Sequence, residues 1–174
     1  LKRAKSQEEP RLNNDEATTK IHAQSRPRDT TISAIAEQAG VQRLTVYRHF
    51  PDETAVFQAC TSHWLELNPP PDPASWADVS DPVERFRTAI GAFYDYFDKT
   101  SRMWTVSYRD VAEVPALQKP MAEVAGYLEG VAADLIQAFG ESGESTYLIQ
   151  TIRHALHFTT WAELEGQCLD NDRK

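Results

Sequence analysis

The chain has 174 residues, 41% of them hydrophobic, which suits one ordinary domain or a small domain joined to a larger one and supplies enough apolar material for a core. No window approaches the roughly 18 apolar residues of a membrane span, and Leu1–Pro10 lacks the apolar middle of a secretory leader, so the expectation is a soluble cytoplasmic protein without a membrane partner. The net charge of -8 is unevenly spread: residues 1–50 hold nine Lys and Arg against six Asp and Glu, leaving nine against twenty for residues 51–174. The first part is thus +3 and the second -11, as in a chain that turns one end toward a polyanion.

Residues 1–11 are polar and read as an arm. Leu12, Ala17 and Ile21 then stand at helical spacing and predict a helix from Asn13 to Gln24, broken at Ser25–Asp29 by Pro27. Thr30 or Thr31 can cap the next helix, whose Ile32, Ile35, Ala36 and Ala39 share one face and which stops at Gly40. A second short helix, Gln42 to His49, turns Val46 and Phe50 inward and leaves Gln42, Arg43, Thr45 and Tyr47 outside. Pro51 ends it. Asp52 caps a longer helix, Glu53–Leu67, with Ala55, Val56, Ala59, Cys60 and Trp64 on its packing side.

Asn68–Pro82 holds five of the ten prolines, which lack the amide donor a helix needs, and reads as a linker between two bodies. Asp81-Pro82-Val83-Glu84 reads as a cap, a first-turn proline and a reciprocal acid. The helix it opens is predicted to run to Asp98, with Val83, Phe86, Ile90, Phe93 and Phe97 on one stripe. A shorter helix, Ser101–Val111, follows with Trp104 and Tyr108 on one side. Pro120 is expected to start a long helix carrying Met121, Val124, Leu128, Val131, Leu135 and Phe139 until Gly140 closes it. After a polar loop at Glu141–Gly143, a last helix is predicted from Ser145 to Leu164. One of its faces has Leu148, Ile149, Ile152 and Leu156; the other has Tyr147, Thr151, His154, Phe158 and Trp161. Two such faces call for two neighbours, and the first is assigned to a second copy of the chain. No strand pattern competes, so the fold class is all-α.

Gln38–Phe50 contains no acid, and its only charged side chains are Arg43 and Arg48. Two short helices around Ala39-Gly40-Val41, the second aromatic and basic, fit a helix-turn-helix whose second helix lies in the major groove of double-stranded DNA. Arg43 can offer guanidinium donors to guanine, Thr45 a methyl and hydroxyl, Gln42 an amide, while Tyr47 and His49 can donate to phosphates. A carboxylate here would face phosphate, which accounts for the missing acids.

The stretch TTISAIAEQAGVQRLTVYRHFPDETAVFQA resembles the DNA-binding signature of the TetR family of bacterial transcriptional regulators. The resemblance implies an N-terminal three-helix DNA-binding domain, here residues 1–51, and a larger helical domain for ligand binding and dimerisation, residues 52–174, opened by a connecting helix at 52–67. It places Thr31 near phosphate, Gln42, Arg43 and Thr45 toward bases, Tyr47 and His49 on the backbone, and Val46 and Phe50 in the core. Gln42 stands where many relatives carry a serine cap, so that helix start is left weakly secured. The family pattern also calls for one more long helix after Asp170-Asn171-Asp172. The expected function is a repressor that binds a palindromic operator as a homodimer and is released by a small apolar or aromatic effector. Its pocket is expected among Phe93, Phe97, Trp104, Tyr108, Tyr127, His154, Phe158 and Trp161, with His154 or Tyr108 as the polar handle.

Two other readings compete. His154 and His157 with Glu163 and Glu165 suggest a metal or catalytic site, but the further ligands are missing, and neither a nucleophile elbow nor a phosphate-binding glycine loop occurs. No catalytic residue, metal or cofactor is therefore expected, and Cys60 and Cys168 are read as ordinary reduced residues. A helical ligand- or protein-binding module without DNA binding would share the C-terminal features but leaves the acid-free segment unexplained.

Overall fold

The structure, a computed structural model, describes residues 32–167; the predicted helix at Asn13–Gln24 and the break at Ser25–Asp29 lie outside them. Among the described residues the regular elements are all helical. They form α1 (Ile32–Ala39), α2 (Arg43–His49), α3 (Glu53–Leu67), α4 (Ala74–Ala77), α5 (Pro82–Asp110), α6 (Pro115–Ala138), a 3-10 turn at Gly140–Glu144, α7 (Thr146–Ala155) and α8 (Phe158–Glu165). The chain divides into two compact units: the part up to Pro69 together with Thr105–Met121, and Pro70–Trp104 together with the part from Ala122 onward.

In the first unit α1 packs on α2 through a small core of Ile32, Ala36, Val46, Phe50, Val56 and Cys60, with Val41, Ala55 and Ala59 at its margin. The corner between the two helices is closed by two hydrogen bonds. The Val41 amide donates to the Ala36 carbonyl at 2.9 Å and the Gly40 amide to the Glu37 carbonyl at 3.1 Å. That pair is the Schellman arrangement, and it needs a left-handed residue at Gly40, whose φ is 67°. At the start of α3, Asp52 Oδ1 accepts from the Ala55 amide at 2.8 Å, the expected cap. Phe57 is also buried on α3 but lies outside this core cluster.

The second unit departs from the sequence reading in three places. Its Pro-rich entry is more than a linker: Asp72 Oδ1 accepts from the Ala74 amide at 2.9 Å, the Ser75 hydroxyl donates to the Asp72 carbonyl at 2.7 Å, and the resulting single turn inserts Trp76 completely into the unit. Trp76 meets Phe93 at 6.1 Å between ring centroids, and the Tyr127 hydroxyl donates to the Pro71 carbonyl. Local proline count is silent about such a burial, because the partners come from distant helices.

Helix α5 runs unbroken for 29 residues where two helices were expected. Asp81 Oδ1 caps its start, accepting from the Glu84 amide at 2.8 Å, while Glu84 pairs with Arg87. The predicted gap at Lys99–Thr100 closes because the Thr100 hydroxyl donates to the Tyr96 carbonyl and the Ser101 hydroxyl to the Asp98 carbonyl, so both residues bond within the helix and do not break it. In the first unit, the end of this helix is held by Arg109, whose Nε and Nη2 donate to the buried Asp110 carboxylate at 2.6 and 3.0 Å.

Helix α6 begins at Pro115, not Pro120; the helix accommodates Pro120 in its interior, at the loss of one amide donor. The expected final helix is two, α7 and α8. The His154 carbonyl is captured by the His157 amide at 3.2 Å and by the Thr160 hydroxyl at 2.6 Å, and His157 takes an extended conformation, so the chain turns there without glycine or proline. Ile152 and Leu156, assigned above to a second copy, are buried within the chain itself, and Leu148 and Ile149 are half-buried. That face completes the chain's own core. Gly143 fits against the end of α6, where any Cβ would lie 2.5 Å from the Ile136 carbonyl oxygen.

Candidate functional site

Helix α2 is short, and one residue fixes its orientation. Val46 is 0% exposed. At about 100° per residue, Leu44 and Arg48 then lie about 160° from the inward direction, Thr45 and Tyr47 about 100°, and Arg43 about 60°. Exposure follows that order only in part. Leu44 is 61% and Tyr47 44% exposed; Arg48, Arg43 and Gln42 are exposed as well, while Thr45 is half-buried. Gln42 precedes the helix in extended conformation with no side-chain cap, as its identity implied, and its carbonyl accepts from the Thr45 amide at 2.8 Å. No acidic residue occupies the first turn. Thr31 and the His49 side chain lie outside what the structure describes.

Arg43 and Tyr47, one turn apart, thus flank the outward pole on one side and Thr45 on the other, with Gln42 exposed just before the helix. The sequence reading assigned no contact to Leu44 or Arg48, which stand at the outward pole. Counting helical angles from Val46 would have found both. Chemically the surface offers guanidinium, amide and hydroxyl donors around a leucine, and no carboxylate.

The amino-acid sequence says what this segment is similar to. Residues 16–60 match the sequence model of the bacterial regulatory proteins, tetR family. Residues 16–60 thus carry the DNA-binding segment of the TetR family. TetR-family members are DNA-binding transcription regulators and not enzymes, and the helix-turn-helix formed by α1 and α2 lies within the matched segment. Two solved structures resemble this chain in fold over most of its length. One is a Clostridium perfringens protein described as a candidate fatty acid metabolism regulator, with a TM-score of 0.64 and 17% identity over 92% of this chain and 90% of its own. The other is a TetR-like transcriptional regulator from Rhodococcus sp. RHA1, with a TM-score of 0.62 and 17% identity over 94% of this chain and 88% of its own. No curated protein matches the sequence.

The second constellation lies in the second unit. Phe97 is its hub, with ring centroids 6.0 Å from Phe93, 5.9 Å from Tyr96, 6.1 Å from Trp104, 5.5 Å from Phe158 and 6.3 Å from Trp161. Tyr127 joins through Phe93 at 6.3 Å. The Trp104 indole donates to the Thr100 hydroxyl at 3.0 Å. Six of the eight expected pocket residues are therefore one ring network. His154 is exposed, and Tyr108 belongs to the first unit.

Burial raises the pKa of Tyr94, Tyr96, Tyr108 and Tyr127 above the usual phenol value, with the neighbouring Tyr127 adding to the shift of Tyr96 and Asp72 to that of Tyr127. These hydroxyls stay neutral. Trp76 Nε1 is buried without a hydrogen-bond partner. Among the described residues no group of three or more His, Cys, Asp and Glu side chains is placed to hold a metal, and no helix is long and apolar enough to cross a membrane.

Proposed function

We propose that the protein is a repressor that binds a palindromic operator as a homodimer and is released by a small apolar or aromatic effector. The observation that carries the DNA half is the outward face of α2: exposed donors and no acid, oriented by the fully buried Val46. Gln42, Arg43 and Thr45 face bases in this reading, and Thr31, Tyr47 and His49 hold the phosphate backbone. A twofold dimer presents two such helices to two half-sites, so operator symmetry mirrors protein symmetry. The DNA-reading part is assigned to residues 1–51 and the ligand and dimer part to 52–174, with α3 as connector.

The effector half rests on the ring network around Phe97. Its rings touch one another, so an effector enters by turning rings aside, and an uncharged apolar compound fits because every tyrosine hydroxyl beside it stays neutral. With His154 exposed, the polar handle passes to Tyr96 and Tyr127, whose rings are part of the network. Release requires that the effector prefer a dimer geometry other than the one that spans two successive major grooves.

The test is selection of duplexes from a random library by the full chain, followed by sedimentation with and without the selected DNA. A palindromic consensus bound by two copies supports the proposal; an asymmetric site bound by one copy overturns it. Apolar and aromatic compounds are then screened for displacement of that duplex. Displacement that survives unchanged in Phe158→Ala and Trp104→Ala variants overturns the effector assignment.

A further inference from the structure

We infer that Leu44 is a sequence-reading residue: it packs on the C5-methyl group of a thymine in the major groove. The inference rests on α2 being the helix that enters that groove. A leucine 61% exposed is common enough on a surface, but this one stands at the outward pole of a helix whose other exposed positions are all polar, charged or amphipathic. A residue at the outward pole of a groove-binding helix is among the first to meet the base edges. In the major groove three of the four bases offer only polar atoms along those edges; thymine alone offers a methyl group.

The choice between bases follows from what leucine cannot do. It has no donor or acceptor, so against adenine, guanine or cytosine it removes water from polar base atoms and returns nothing to them. Against thymine it covers a methyl and loses its own exposed apolar surface in the same step. Arg48, one turn along the same pole, and Arg43, on the flank, add charge toward phosphate or guanine but cannot tell thymine from uracil. Of the neighbours turned toward DNA in this reading only Thr45 also carries a methyl group, so the leucine is separated from it by which substitution removes the methyl discrimination.

The experiment uses the full chain and the duplex it selects from a random library. Each thymine of that duplex is replaced in turn by deoxyuracil, which removes only the methyl. The expected result is one position per half-site at which wild-type binding weakens about fourfold, the worth of one buried methyl. That loss should vanish in Leu44→Ala and persist in Leu44→Met, which keeps an apolar side chain of similar reach. Thermal unfolding confirms that both variants are folded. Identical deoxyuracil profiles for wild type and Leu44→Ala, or a selected sequence whose affinity is indifferent to Leu44, overturn the inference while leaving DNA binding intact. A chain that selects no sequence at all overturns the underlying reading as well, and the two failures are separate observations.

Discussion

The face of α2 and the ring network around Phe97 use large side chains in opposite ways. On α2 a single buried valine holds the helix in place while Leu44 and Tyr47 are turned outward. In the second unit Phe93, Phe97, Trp104, Phe158 and Trp161 are all buried and each touches another ring. Little stability is invested at the first site, so its side chains are free to serve a partner. At the second the same side chains are the fold, and any ligand they take must compete with their contacts to one another. The two sites should therefore separate cleanly under mutation, one losing binding and the other losing stability.

The largest effect is expected at the hub. Phe97→Ala should lower unfolding free energy by about 3–5 kcal/mol in denaturant titration, since it leaves a cavity among five aromatic neighbours. A loss under about 1 kcal/mol would show that the network is loosely packed and would favour a ligand-ready site. Arg43→Ala should do the reverse: stability unchanged within about 0.5 kcal/mol, but binding to the selected duplex weakened by roughly 1–3 kcal/mol and random DNA affected less. Equal losses on both DNAs would reduce Arg43 to a phosphate contact.

Two corner residues probe the boundary between these behaviours. Gly40→Ala forces a left-handed conformation on a residue with a Cβ and should cost about 1–2 kcal/mol, although its space is open. It should also weaken DNA binding, because it disturbs the corner from which α2 is presented. Asp52→Ala removes the cap of α3 and should cost about 1 kcal/mol in thermal unfolding with little change in base preference. A change in preference at that position would mean that α3 helps to orient α2.

What the amino-acid sequence disclosed tracks how local each cause is. Gly40 and Asp52 act on backbone groups within five residues, and both were legible in advance. The DNA-binding helix pair was legible for the same reason, with the family signature naming what the pattern alone left open. The hydroxyls of Thr100 and Thr160 have two opposite uses that the expected helix bounds did not anticipate. One bonds back within α5 and keeps it whole, and the other reaches the His154 carbonyl across the α7–α8 turn. Pro115 and Pro120 are both tolerated in α6, so proline alone gave the wrong start. His154 was placed with Phe158 and Trp161 by an unbroken helical count, and the turn at His157 separates them. Leu44 was assigned no role, although counting helical angles from Val46 places it outward.

Trp76 bears on how this protein can be divided for experiments. A stretch with five prolines between Asn68 and Pro82 is where a truncation would ordinarily be placed. A C-terminal fragment beginning at Pro82 would lose the indole that covers Phe93 and the carbonyl that receives the Tyr127 hydroxyl, exposing an aromatic face to self-association. A fragment that begins before Pro70 keeps both. By the same reasoning, proteases with sites near Trp76 should find this segment slow to cut in the intact chain, despite a composition that advertises a loop.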